Sequence, residues 1–351
     1  MKAITAAIDK YSLEASPMLP LDFDQLSRSS LGFYRVWTIH LGRRYGILGA
    51  IAKSNGLTMD ELARVTKLFP KGLKLWCDAT CSLGIIARRD GGYRLAGRMK
   101  DLLVNETHKD YLGGQLSYLA LRSLDYDAFD GFFRDGTVPG SAPPHIVEAF
   151  KEATRWDHTG FLRIVLREAP QVKSILEGRA KVLDGGSGTG DWISRMRKSY
   201  PLPLYVGVES DSVAIKRATD RAVAAGPASV RFEHGTAESM PYDDEFDLVY
   251  LGEVLCVMLQ RKQALAKCFE ALKPGGILVV AEGLLDEKKG WRGASNELMR
   301  PMQLDFALLG GSFFSRAELR RLLQDTGFMG LRFLSAGGGF WFAVARKPST
   351  R

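Results

Sequence analysis

The stretch Val182–Gly190 reads VLDGGSGTG, an apolar run followed by an acid and then by glycine at every second position. The apolar residues predict a buried parallel strand, and Asp191 opens a helix-like segment after it. Glycines permit a tight turn with positive φ and let the main chain approach a ligand closely. Because an acid ahead of the glycines would repel a diphosphate, the motif favours a ligand that carries a cationic amine.

Short apolar runs of the same kind recur downstream at helix-length intervals. They predict strands at 204–209, 230–238 (including a polar turn), 246–252 and 277–281. Strands that alternate with helices are typical of an α/β fold with a doubly wound parallel sheet. Glu209 ends the second strand, where an acid is placed to accept hydrogen bonds from ribose hydroxyls.

The glycine motif, Glu209, the strand 246–252 and the turn 272–276, in this order and spacing, resemble the class I S-adenosylmethionine-dependent methyltransferases. The resemblance implies a Rossmann-like doubly wound sheet with a reversed C-terminal hairpin, and S-adenosyl-L-methionine as the cofactor. The segments 330–334 and 340–345 fit that hairpin. The alternative is a nicotinamide-dependent dehydrogenase of the same topology, but its fingerprint lacks the leading acid.

The N-terminal part, residues 24–105, has the pattern of a small helical module. A capping box at Thr58 and Glu61 starts one helix, a second runs from about Lys71 to Leu83, and a hairpin turns at 90–92. Three helices and a hairpin indicate a mainly α, winged-helix-like domain. A DNA-reading helix should present several basic or amide side chains, yet the helix in that position offers Lys74 and little else.

Together with the sheet domain, this module resembles the small-molecule O-methyltransferases, in which it serves dimerisation. The resemblance divides the chain into a dimerisation domain (1–110), a helical connector (111–160) and a cofactor-binding domain (161–351). It also implies a homodimer. The cofactor-binding residues that it implies are Arg155, Asp184, Gly186, Gly188, Gly190, Glu209, Thr236, Ala237, Glu238 and Gly252. Thr236 stands where the family usually has an aspartate that contacts adenine, and its hydroxyl can still accept a hydrogen bond.

The sequence gives fewer indications of which residues bind and activate the methyl acceptor. Relatives often place a histidine base just after the fourth strand, whereas this chain reads EVLCVM at 253–258. We expect His158 to be the catalytic base. Residues 284–315 are expected to form a lid over an apolar pocket, and Asp305, the one charge inside its apolar stretch, is a candidate base or substrate anchor.

These observations predict a methyltransferase that acts on a small, largely apolar acceptor, most simply by O-methylation. An acceptor that needs no base, through nitrogen, sulfur or carbon, is the alternative within the enzyme class. A cofactor-sensing regulator that binds DNA is the alternative from another class.

Composition limits the remaining possibilities. The net charge of +8 over 351 residues comes from dispersed Lys and Arg, so nucleic acid is not an expected partner. Four cysteines without paired CxxC sets predict neither a metal site nor a disulfide framework. Residues 1–20 lack the pattern of a leader, and no apolar run has the length of a membrane span, so we expect a cytoplasmic protein.

Overall fold

The computed structural model describes residues 22–139, 143–224, 229–287 and 294–349. Within them the chain forms two compact units. The helical unit contains residues 22–127 and 143–159, and the sheet unit contains residues 128–139 and those from 160 onward. The expected absence of a leader in residues 1–20 lies outside the described residues, as do parts of the loop at 139–144 and of the lid.

The first half of the chain is helical apart from one hairpin. Its elements are α1 (Phe23–Arg44), α2 (Ile47–Ala52), α3 (Met59–Thr66), α4 (Pro70–Ser82), β1 (Ile86–Arg89), β2 (Gly92–Leu95), α5 (Met99–Leu103), α6 (Gly113–Arg122), a 3₁₀ turn (Ser123–Ala128), α7 (Phe129–Asp135), α8 (Pro144–Ala153) and α9 (Arg155–Gly160). Of these, α7 belongs to the sheet unit.

Local chemistry explains several of these boundaries. The predicted capping box is confirmed, because the Thr58 side chain accepts the Glu61 N–H and the Glu61 carboxylate accepts the Thr58 N–H at 2.8 Å. Asp90 and Gly91 both have positive φ, which is the backbone that a tight hairpin turn requires. Apolar residues at helical spacing from Leu31 to Ile51 predict helix there, and the structure interrupts it at Gly46, whose φ of 70° separates α1 from α2.

The sheet unit continues with a π-helical turn (Phe161–Val165), α10 (Leu166–Glu168), α11 (Pro170–Glu177), β3 (Lys181–Gly185), α12 (Asp191–Ser199), β4 (Leu204–Glu209), α13 (Ser212–Ala224), β5 (Val230–His234), β6 (Phe246–Gly252), α14 (Arg261–Ala271), β7 (Leu272–Leu285), α15 (Ala294–Ala307), β8 (Phe314–Ser315), α16 (Arg316–Asp325), β9 (Met329–Gly337) and β10 (Phe340–Arg346). The strand predicted at 277 begins earlier, at Leu272. The sequence pattern from His145 to Glu168 predicts a helix with an interruption near 158–160; in the structure the helix breaks at Thr154, and a π-helical turn starts directly after Gly160.

Within the described residues, eight strands form one sheet, in the order β5-β4-β3-β6-β7-β10-β9 with β8 beside β7. Strands β3 to β7 run parallel, while β10 is antiparallel to β7 and to β9. This is the predicted doubly wound sheet with its reversed terminal hairpin. The chain moves outward from β3 to β5 and then returns to β6, so the strand order reverses between β3 and β6. Ligands of such sheets bind at the carboxyl ends of the strands beside this switch point.

The core of the sheet unit is apolar on both faces of the sheet. One face carries a cluster that includes Leu183, Val249, Leu251 and Leu278, all fully buried. On β6 and α12, Tyr250 and Trp192 stack with ring centroids 4.3 Å apart. In the described part of the chain, no helix has the length and apolarity to cross a bilayer.

Candidate cofactor site at the carboxyl ends of the strands

The glycine motif turns at the carboxyl end of β3 and leads into α12. Gly186, Gly188 and Gly190 all have positive φ, from 53° to 83°. The Gly186 and Ser187 N–H groups both donate to the carbonyl of Val208 on β4, at 2.8 and 3.0 Å. These bonds fix the turn against the neighbouring strand. The loop therefore presents main chain, and no side chain, at its glycine positions.

The three glycines differ in what surrounds them. A Cβ on Gly186 would lie 2.6 Å from Cγ1 of Val254, and one on Gly190 would lie 2.4 Å from Cζ of Phe232. Both glycines are therefore required by close packing as well as by their backbone. A Cβ on Gly188 would meet no atom within 4 Å. Open space above a positive-φ glycine in the middle of the loop is room for a ligand.

Two acids lie at the ends of β3 and β4, beside this loop. Asp184 is buried, with 3% of its surface exposed, and Glu209 is half-buried. The Glu209 carboxylate accepts the Gly188 N–H through Oε2 and the Asp211 N–H through Oε1, both at 2.8 Å. Burial, and then the charge of Glu209, raise the pKa of Asp184 well above its ordinary value.

Neither acid forms an ion pair with any residue that the structure describes. Two neighbouring acids without a cationic partner lie next to the open space at Gly188, where a bound cation would favour their ionised forms. A buried charge is normally paired, and an unpaired one favours a ligand that supplies the opposite charge. The site fits a small molecule with a cationic amine.

The cofactor-binding residues predicted at 236–238 and 252 follow β5 and β6, and they lie at the same edge of the sheet. Thr236 and Ser239 share a hydrogen bond of 2.8 Å between their hydroxyls, and Ala237 is buried. The main-chain carbonyl of Glu238 accepts a hydrogen bond from Gln263 Nε2 at 3.0 Å. Gly252 ends β6, where a Cβ would lie 2.7 Å from the Tyr250 hydroxyl oxygen.

The segment after β6, residues 253–258, starts with strained backbone. Glu253 has a φ of 54° although it is not glycine, and its N–H donates to the carbonyl of Ala281 on β7 at 2.8 Å. Cys256 lies in this segment, which contains no histidine. It is buried, and burial together with the nearby Glu282 raises the pKa of its thiol.

Glu282, on β7, was not singled out from the sequence. Its Oε1 accepts the Leu255 N–H at 2.8 Å and the Cys256 N–H at 3.3 Å, while its Oε2 is buried without a hydrogen-bond partner among the described residues. Burial, and then the charge of Glu253, raise the pKa of Glu282 to about 8. The one signal in the sequence is an acid inside the apolar run VVAEGLL at 279–285.

Two of the predicted site residues, Arg155 and His158, lie on α9 in the helical unit. Arg155 Nη1 pairs with Glu106 at 2.6 Å, and its Nε pairs with Glu152 at 3.0 Å. His158 is buried, and its main-chain N–H donates to Thr154 at 3.3 Å. The structure thus gathers the predicted residues of β3 to β6 at one sheet edge, whereas Arg155 and His158 belong to the other unit.

Comparisons with known proteins agree with this geometry. Residues 182–276 match a family described as a methyltransferase domain. One relative is the ubiquinone/menaquinone biosynthesis C-methyltransferase of Methylococcus capsulatus, which is 36% identical over 127 residues, covering 35% of this chain and 50% of that protein.

Two solved structures have the same fold over nearly the whole chain. The complex of human N-acetylserotonin methyltransferase with S-adenosylmethionine has a TM-score of 0.69 and 18% identity, covering 95% of this chain and all of that one. The mitomycin 7-O-methyltransferase has a TM-score of 0.64 and 19% identity, covering 99% of this chain and all of that one. The chain therefore carries a methyltransferase domain at residues 182–276, within the fold of known S-adenosylmethionine-dependent methyltransferases.

Proposed function

We propose that this enzyme methylates a small, largely apolar acceptor, by O-methylation in the simplest case. The observation that carries the proposal is the pair of acids, Asp184 and Glu209, which have no cationic partner among the described residues and lie beside a glycine loop with open space at Gly188. When bound, S-adenosylmethionine supplies an activated methyl group on a cationic sulfonium. What the chain supplies is charge complementarity and alignment.

Each cofactor residue has a role that its position supports. Asp184 would balance the cationic amine, and the main chain at Gly186, Gly188 and Gly190 would lie along the aminoacyl part. Glu209 would accept a hydrogen bond from the ribose hydroxyls through Oε2, which keeps a second lone pair after accepting the Gly188 N–H; Oε1 already accepts from the Asp211 N–H and the Ser210 hydroxyl. The adenine is assigned to Thr236, Ala237 and Glu238, and Gly252 would close the site after β6.

Arg155 stays a prediction as the partner of the cofactor carboxylate. Glu106 and Glu152 already engage its guanidinium, so a ligand carboxylate would compete with two protein acids.

The acceptor pocket is proposed to include α15 and the turn that follows it. Met299, Phe306, Leu308 and Phe313 are buried there, and the rings of Phe306 and Phe313 lie 4.8 Å apart. A Cβ on Gly283, near the carboxyl end of β7, would lie 3.0 Å from Met299 Sδ. Apolar and flexible side chains at the carboxyl edge of the sheet suit an apolar acceptor. Asp305, buried on the same helix, remains a possible anchor in this proposal.

The identity of the methylated atom depends on the base. The raised pKa of the buried Cys256 thiol keeps it protonated, so it cannot accept a proton, and His158 stays the proposed base for a hydroxyl acceptor. A nucleophilic carbon, a nitrogen or a sulfur would not require one. The relative from Methylococcus is a C-methyltransferase and the mitomycin enzyme is an O-methyltransferase, so both outcomes have precedent among similar proteins.

A homodimer is proposed from the surface of α1. Along this helix several large apolar side chains are exposed, with Phe23 at 83% and Tyr34 at 61% of their surface. The others are Leu26, Leu31 and Phe33. A cluster of this kind on one helix is typical of a covered interface. Sedimentation of the full chain should give a dimer, and Phe33→Asp should give monomers; a monomeric wild type would contradict the proposal.

The regulator alternative finds little support in α4. Lys74, the one basic residue between positions 72 and 83, pairs with Asp78 at 2.6 Å. A gel-shift series over increasing salt tests it, because tight binding with a steep salt dependence would favour the regulator. The winged-helix assignment, the domain boundaries and the cytoplasmic location remain predictions.

The experiment that tests the proposed activity is mass spectrometry of candidate acceptors incubated with enzyme and cofactor. We expect one added methyl group on an apolar phenol, hydroquinone or related ring compound, and fragmentation identifies the atom. Turnover confined to a polar or macromolecular acceptor would contradict the proposal.

A further inference from the structure

Glu282 is a buried acid that the proposed reaction leaves unused. It lies near the carboxyl end of β7 with 1% of its surface exposed, on the same sheet face as the apolar cluster around Leu251 and Leu278. Its Oε1 accepts two successive main-chain N–H groups, those of Leu255 and Cys256. Burying an acid in an apolar core costs free energy, which these two hydrogen bonds offset in part.

The segment that Glu282 holds is also the one that covers the glycine loop. Val254 lies so close to Gly186 that a Cβ there would be 2.6 Å from Val254 Cγ1. Val254 stands between Glu253, whose backbone is left-handed, and Leu255, whose N–H is bound by Glu282. A left-handed backbone at a residue other than glycine persists only when its surroundings fix it.

A second set of hydrogen bonds, to the Cys256 carbonyl, holds the same segment. Arg261 Nη2 donates to the carbonyl of Cys256 at 2.9 Å and to the Ser312 hydroxyl at 2.7 Å. The Ser312 N–H also donates to the Cys256 carbonyl at 2.7 Å. The N–H groups of Glu253, Leu255 and Cys256 thus bind to β7, and the Cys256 carbonyl binds to the turn before β8.

We propose that Glu282 is a positioning residue, which holds the segment after β6 against the glycine loop and so sets the shape of the cofactor cradle. It acts through Leu255, Cys256 and Val254 and does not touch the cofactor. This inference rests on the cofactor site proposed above.

The proposed role of Glu282 depends on its protonation state. The pKa of Glu282 is raised to about 8, so the side chain is neutral at pH 7. The charged and titratable groups near it are Glu253 and Cys256 on the segment, Arg261 beyond it, and Arg316, which lies over Trp341, the strand partner of Glu282. Above pH 8 the acid becomes a buried anion beside Glu253, and repulsion loosens the segment.

The test compares Glu282→Gln with Glu282→Leu, with cofactor affinity measured by calorimetry from pH 6.5 to 9.5. The amide of Gln keeps the oxygen that accepts both N–H groups and cannot ionise, whereas Leu removes the acceptor. We expect wild-type affinity to fall at least tenfold above pH 8, Gln to bind within about threefold of wild type at pH 7 without that fall, and Leu to bind at least tenfold more weakly.

Asp247→Asn is the matched control, since Asp247 lies at the amino end of β6 and binds the Lys181 N–H and Lys273. It should lower stability without changing cofactor affinity. An alkaline fall that persists in Glu282→Gln, or unchanged affinity in a folded Glu282→Leu, would overturn the inference. Wild-type protein that binds no cofactor at any pH would contradict the cofactor site itself, so the two failures are distinguishable.

Discussion

Glycine-to-alanine substitutions in the glycine loop can separate the stability of the fold from the binding of the cofactor. In Gly190→Ala the new Cβ would lie 2.4 Å from Phe232 Cζ and 3.2 Å from Ala218 Cβ. Phe232 cannot easily retreat, because it also lies against Gly207 on β4. In Gly188→Ala the new methyl would meet nothing within 4 Å. The two changes share a positive φ and differ in their surroundings.

The expected costs follow from these contacts. A left-handed backbone costs an alanine about 1 to 2 kcal/mol, which applies to both variants. Overpacking adds about 1 to 3 kcal/mol for Gly190→Ala only, so its total is about 2 to 5 kcal/mol. Gly188→Ala should therefore be the more stable variant, yet its methyl occupies the space assigned to the cofactor.

Gly330→Ala is the control, since Gly330 also has a positive φ and open surroundings but lies on β9. Denaturant unfolding without cofactor should rank Gly190→Ala below the other two, which should be alike. On adding cofactor, the unfolding midpoint should rise for Gly330→Ala as for wild type and should hardly move for Gly188→Ala. A full cofactor response in Gly188→Ala, or equal stability of all three variants, would refute the reasoning.

Two further substitutions test other parts of the site. Glu209→Gln should weaken cofactor binding at least tenfold in calorimetry, because both Glu209 oxygens accept main-chain N–H groups and the amide must turn its NH₂ towards one of them, at a cost of about 1 to 3 kcal/mol; unchanged affinity would remove Glu209 from the site. His158→Ala should lower kcat and abolish the acidic limb of the pH–rate profile if His158 is the base. Full activity with an unaltered profile would exclude that role.

The parts of the fold that the sequence predicts are those fixed by local patterns. The parallel strands, the glycine turn and the Thr58 capping box each depend on residues within a short window, and the structure confirms them. The reversed hairpin followed from the resemblance, and it is present as β9 and β10. The helix break at Gly46 was missed because a glycine inside an apolar pattern is compatible with either outcome.

What the sequence could not show depends on distant contacts. The role of Glu282 depends on its hydrogen bonds with the N–H groups of Leu255 and Cys256, which lie in the loop after β6. Likewise, the partners of Arg155 are Glu106 and Glu152, and the former lies far from it in the chain. No local pattern reports such pairings, so the acids and bases of a site are harder to predict than its turns.

The titration of Asp184 gives the most direct test of the cofactor site. In the free protein its pKa is raised, so the acid favours the protonated form when folded. Its contribution to stability is present at low pH and is lost as pH rises through the raised pKa. A bound cation favours the carboxylate instead, so cofactor affinity should change with pH in the opposite direction.

The measurement is calorimetry of S-adenosylmethionine binding to wild type and Asp184→Asn, across pH and in buffers of different ionisation enthalpy. Below the pH at which Glu282 ionises, wild-type affinity should increase with pH as Asp184 titrates, with release of a proton on binding. Asp184→Asn should lose about 1.5 to 3 kcal/mol of binding, roughly ten- to a hundredfold, and release no proton. Equal affinity of the two proteins, or proton release that survives the substitution, would contradict the assignment of Asp184 to the cofactor.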